Sequence, residues 1–130
     1  ECVRIMVGRA SDAQLDHLKA IHAELERAAT AREIKGFFEA NQIFHRSIQE
    51  FADNRWLLHV IEDLRKVIKL SRHHSLYSEG RLEQALAEHR ALLDALIARD
   101  ASAAEALMRA HIRRGREAVA RIAAARTKTT

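Results

Sequence analysis

An all-α fold, an antiparallel bundle of about six helices, follows from three observations on this sequence. Its 130 residues include no proline and only four glycines, so little in the chain interrupts a helix. Apolar residues recur at three- and four-residue spacings along nearly the whole length, which marks one buried face per helix. Almost nothing shows the alternation of a strand. A chain of this size makes one domain, residues 1–130, and buries about two-thirds of its unfolded surface.

Each element can be justified in turn. Residues 1–9 read as the remainder of a helix that ends near Gly8. Their opening, Glu1-Cys2-Val3-Arg4-Ile5-Met6, is already in helical rhythm and suggests part of a longer protein. Ser11 or Asp12 can cap a second helix, with Leu15, Leu18, Ile21, His22 and Leu25 as its stripe, fading at 29–31. The third helix, about 32–52, carries Ile34, Phe38, Asn41, His45 and Ile48 at spacings of 4, 3, 4 and 3. Asp53-Asn54 is a turn and cap. The fourth helix runs from about 55 to 76, with Trp56, Leu57, Val60, Ile61, Leu64 and Ile68 on its apolar side. Ser78-Glu79-Gly80 breaks it. The fifth helix, about 81–98, has the stripe Leu82, Leu86, His89, Leu93, Leu96. Asp100 or Ser102 then caps a last helix to about 125, striped by Ala104, Leu107 or Met108, His111, Ile112, Gly115 and Val119. The tail 126–130 is expected to fray.

The net charge of +4 gathers at the C-terminal end, in Arg113, Arg114, Arg116, Arg121, Arg126 and Lys128. A solvated helix face explains this cluster at least as well as a nucleic-acid footprint, and no groove-reading motif accompanies it. A single cysteine, Cys2, excludes a disulfide framework and fits a reducing, cytoplasmic setting. No run of about 18 apolar residues exists to span a membrane, and no signal peptide is visible.

The chemistry lies in polar residues on apolar stripes. Asn41 and His45 are one turn apart on one face, and His89 and His111 occupy core positions of two further helices. Charged imidazoles could not share one core, so these would be neutral, as a transition metal requires. Three histidines, one oxygen donor and open positions resemble a catalytic or ligand-binding zinc geometry more than a closed structural one. Each histidine alone also fits a core residue bonded to a backbone carbonyl, and periodicity cannot show that the three converge. His22, at the edge of its stripe, is a further candidate for the same cavity. His17, His59, His73 and His74 read as solvated.

Several ordered pieces carry a family resemblance. They are Glu1-Cys2-Val3-Arg4, then Asn41-Gln42-Ile43-Phe44-His45 with Asn54 and Leu57, then Glu88-His89-Arg90 with Leu93. Arg99-Asp100 with Ala103-Ala104, Met108 and His111-Ile112 completes the set. In this order the chain resembles, over nearly its whole length, the C-terminal effector-binding (FCD) domain of the FadR branch of GntR-type bacterial transcription regulators. The resemblance implies a divalent metal, zinc or nickel, held by Asn41, His45, His89 and His111. It also implies a small carboxylate metabolite bound at that metal with the help of arginines, for which Arg4, Arg65 and Arg72 are the candidates. It further implies a homodimer, and DNA binding through a winged helix-turn-helix domain preceding residue 1.

Asn41 departs from the family, whose motif begins with Asp. An amide oxygen is a weaker, neutral donor, and the loaded site would carry +2 instead of +1. That charge favours a di- or tricarboxylate, a hydroxy acid or a phosphate as the extra ligand. Alternatively the metal is lost and hydrogen bonds hold the pocket. The expected function is a ligand-sensing regulatory domain, not an enzyme, that acts on DNA binding allosterically. A small metal-dependent helical hydrolase or lyase is the rival, but Glu88 points about 100° from His89 around its helix and no general base is evident. A metal-free structural dimerisation bundle is the third reading.

Overall fold

Short polar side chains fix where the helices begin. Gln14 N–H donates to Ser11 Oγ (3.1 Å) while Ser11 N–H donates to Gln14 Oε1 (2.9 Å), a reciprocal capping box. Asn54 Oδ1 accepts from Leu57 N–H at 3.0 Å, and Asp100 Oδ1 from Ala103 N–H at 2.9 Å. Each such cap contributes about 1 kcal/mol.

In the computed structural model, which describes residues 1–127, these caps precede three of six helices. They are α1 (Cys2–Arg9), α2 (Asp12–Thr30), α3 (Ile34–Phe51), α4 (Arg55–Ser75), α5 (Arg81–Ile97) and α6 (Ala101–Thr127). No strand occurs among the described residues. The last three residues of the tail expected to fray, and the side chains of Ile68, Leu70 and Arg126, lie outside what is described.

The third helix begins at Ile34, two residues later than its pattern suggests, because Arg32 adopts a left-handed φ of 55°. Glu33 N–H donates to Ala28 O (2.9 Å) and Arg32 N–H to Ala29 O (3.1 Å), the paired bonds of a Schellman motif. The end of α5 repeats it at Arg99 (φ 54°), through Asp100 N–H to Ala95 O and Arg99 N–H to Leu96 O.

α2 packs against α3 and α5, α5 continues to α6, and α3 and α6 both meet α1, which closes a ring. Inside it Met6, Leu18, Leu25, Phe37, Phe44, Ile48, Leu92 and Leu96 are almost fully buried. Each stabilises the fold by about 1.5–3 kcal/mol. On α6 the buried line is Ala104, His111, Gly115 and Ala118, whereas Ile112 is half exposed and Val119 only partly buried.

α4 lies outside the ring, mainly against α3 and α6, and here the expected stripe is corrected. Leu57 and Ile61 turn partly inward, but Trp56 is 82%, Val60 58% and Leu64 62% exposed. Val67 is also 82% exposed, and with Trp56 and Val60 it forms the uncovered edge of one broad apolar sector that continues through Leu64 to Leu57 and Ile61. Two helical neighbours cannot cover an apolar sector this wide.

Candidate metal centre

The imidazoles of His45 on α3, His89 on α5 and His111 on α6 meet in the core. Each offers a ring nitrogen within 4.8 Å of the other two, so the three together could hold a metal ion. Ring centroids are 5.3 Å apart for His45–His89, 5.1 Å for His45–His111 and 4.6 Å for His89–His111. His89 is 1% exposed, and Phe44 and Phe37 stand edge-on to it at 5.3 and 6.2 Å.

Hydrogen bonds to acceptor oxygens fix the tautomers of His89 and His111. Ala85 O can only accept, so His89 Nδ1–H donates to it at 2.7 Å and leaves Nε2 with a lone pair. That Nε2 faces His45 Nε2 at 3.3 Å. His111 Nδ1–H donates to Glu88 Oε2 at 2.6 Å, and its Nε2 is buried without a partner. Asn41 Oδ1 is likewise buried and unpartnered, and it lines one small hollow with His89 and His111. Unsatisfied buried acceptors cost about 1–3 kcal/mol each. Unprotonated imidazole nitrogens and an amide oxygen are donors for a borderline divalent ion, so the residues present fit one.

Electrostatics keep the cluster neutral. Burial, then the neighbouring histidines, hold His45 well below the usual imidazole range. Burial pushes His89 down to about 3, against the opposing Ala85 bond. His111 is also lowered by burial, although Glu88 works the other way. Burial acts to raise the Glu88 carboxyl, but its bond to His111 and the charges of Arg81, His111 and Arg114 outweigh that and leave it lowered. The pair is therefore a carboxylate accepting from a neutral imidazole.

Beside the cluster is a cavity of about 350 Å³ between α1, α3, α4 and α6, with His45, Arg65 and Arg72 in its wall. Arg72 also lines the small hollow, so it joins the two spaces. Its guanidinium lies over α6 at Gly115, where an added Cβ would stand 3.6 Å from Nη2. Burial, then the charge of Arg81, lowers its pKa. Arg65 donates to Gln42 Oε1 at 2.6 Å, and burial followed by Arg72 brings it down to about 10. Neither arginine makes an ion pair with a carboxylate among the described residues. Arg4 stands apart: it is exposed, pairs with Glu105 at 3.1 Å, and lines neither space.

The family model of the FCD domain matches residues 1–114. The chain belongs to the FCD family. No curated protein matches it in sequence. Among solved structures, this FCD domain is similar to E. coli McbR/YncC, with a TM-score of 0.83 and 19% identity. The likeness covers 92% of this chain and 61% of that one, and at such identity it speaks for the fold.

Sequence reasoning turned Glu88 away from the site and did not single out Arg81 in this FCD domain. Glu88 does leave the His89 face of α5, but that direction carries it to α6 and His111. Its other oxygen faces Arg81 Nη1 at 3.5 Å and Arg114 Nη1 at 3.7 Å. The available signal was an acidic residue flanking a core histidine, which only the α5–α6 packing could interpret. His22 is buried beside Phe44 but outside the metal-competent trio. His73, expected to be solvated, is half-buried against Phe38 at 4.9 Å because the end of α4 folds back over α3.

Proposed function

We propose that this FCD domain is the ligand-sensing module of a GntR-type transcription regulator of the FadR branch, binding a small organic acid at a divalent metal. The observation that carries the reading is the convergence of His45, His89 and His111 beside a cavity walled by Arg65 and Arg72. Asn41, His45, His89 and His111 would hold the ion, zinc or nickel. When bound, the ion supplies a Lewis-acidic centre with positions open to an effector oxygen.

The chain's own residues do the rest. Ala85 O and Glu88 lock His89 and His111 with Nε2 unprotonated. Arg72, and Arg65 behind it, present guanidinium donors to the effector carboxylate. These contacts arise from α3, α4, α5 and α6, so an effector that draws α4 toward α3 and α6 favours one packing of the bundle. A DNA-binding winged helix-turn-helix domain preceding residue 1 would report that packing, and a homodimer would pair two such domains on DNA. The exposed edge of α4, Trp56, Val60 and Val67, is the face for that dimer. Glu88, the carboxylate a hydrolase would need, is tied to His111, Arg81 and Arg114, which suits an orienting part better than that of a general base.

Elemental analysis with melting curves before and after chelation tests the reading. About one equivalent of metal is expected. With metal at a hundred times its Kd, chelation should lower Tm by roughly 10 °C. A protein that takes up neither zinc nor nickel and melts unchanged in chelator would overturn it.

A further inference from the structure

We infer that the effector is an amphipathic monocarboxylate, a single carboxylate head on an apolar body, and not a di- or tricarboxylate. This rests on the sensor reading above and adds the chemical class of the ligand. The wall of the 350 Å³ cavity is mostly apolar: Val3, Ile48, Leu57, Ile61, Met108 and Ile112 line it. Its cationic groups are Arg65 and Arg72, and His45 brings it to the metal cluster. Glu1 is the one carboxylate in the lining among the described residues, and it is exposed. Arg72 lines both the cavity and the histidine hollow, which places anion recognition at their junction.

A head bound there directs the remainder of the ligand into the cavity, along α1, α4 and α6. A second or third carboxylate in that position would be desolvated against Ile48, Leu57, Ile61 and Met108 with only the two arginines that the head itself engages to pair it, and burying a poorly paired charge is costly. A hydrocarbon or aromatic body would instead remove the same side chains from water. The cavity is within the size range of small-molecule sites. The charge of the centre calls for an anion; the wall decides what the anion is attached to.

Calorimetric titration of the zinc-loaded protein with acetate, butyrate, hexanoate, octanoate and succinate is the test. Affinity should rise by about fourfold for each methylene added to the linear series, the fold-change of burying one CH₂ group, and succinate should bind more weakly than hexanoate. Ile61→Asn and Leu57→Asn, at half-buried positions on α4, should flatten the series and leave the zinc content unchanged. A series that is flat, or that succinate surpasses, would overturn the amphipathic ligand and leave the organic-acid sensor standing. Loss of all carboxylate binding from protein that keeps its zinc would overturn both. A series that stays steep in the two variants would remove the body from this cavity.

Discussion

Glu88 sets a carboxylate one hydrogen bond beyond the histidines, in a centre whose own oxygen donor, Asn41, is neutral. Bonded to His111 Nδ1–H, it raises the basicity of the free Nε2. Glu88→Gln should therefore weaken zinc or nickel binding by about 10–100-fold, measured by competition with a chromophoric chelator. Unchanged affinity would mean that Glu88 serves only to pair Arg81 and Arg114. The histidines also predict a pH dependence. Folded, His45, His89 and His111 all lie below the usual 6.5. Above pH 6.5 neither the folded nor the unfolded chain protonates them, and their contribution to stability is complete. As pH falls below 6.5 the unfolded chain binds protons that the folded one refuses. Each histidine then costs up to about 1.4 kcal/mol per pH unit until its folded value is reached. Glu88, lowered from 4.5, adds a loss of the same sign below that pH. Urea unfolding of metal-free protein between pH 7.5 and about 4.5 should show a steep fall; a level profile would mean that the rings are already charged or solvated.

At the scale of the element, α2 and α5 end on non-glycine residues in the left-handed region, Arg32 and Arg99. The Arg99 side chain is engaged, donating to Val7 O at 3.1 Å and Asp12 Oδ1 at 3.0 Å. That of Arg32 makes an exposed ion pair with Glu83, which is worth little. Arg32→Gly should accordingly stabilise the protein by roughly 1 kcal/mol, by relieving the Cβ–carbonyl conflict. Thermal unfolding would show this as a Tm raised by a few degrees, and a lowered Tm would show that the Glu83 pair matters more. α4 carries one broad apolar sector, whose Leu57, Ile61 and Leu64 side lines the cavity and whose Trp56, Val60 and Val67 edge is exposed. A helix built this way can meet a ligand and a second subunit on adjoining parts of the same sector.

For the whole molecule, the outer face of α4 predicts self-association. Trp56→Ala with Val67→Glu removes exposed side chains only, so the fold should be unaffected. It should weaken the dimer by at least about 2 kcal/mol, roughly thirtyfold in Kd, as sedimentation equilibrium would report. A variant that dimerises like the parent would move the interface elsewhere. Metal content should be the same in both, because the histidine cluster lies within the ring of α1, α2, α3, α5 and α6.

Helical periodicity was enough to establish the all-α class, the boundaries of most helices to within two residues, and the inward placement of Asn41, His45, His89 and His111. Local rules govern these properties: which residues cap a turn, and which share a face every three or four positions. The ordered motifs were enough to reveal the FCD family. Three further features depended on tertiary packing. Glu88 became a partner of His111 only because α5 and α6 place them 2.6 Å apart. Arg4 lies at the surface because α1 packs Val3, Met6 and Val7 inward against α3 and α6, which turns Arg4 out toward Glu105. Trp56 and Val60, apolar in a helical stripe, stayed exposed because α3 and α6 leave that side of α4 uncovered. Periodicity records that a helix has an apolar face; which neighbour covers it is fixed by contacts between residues far apart in the chain.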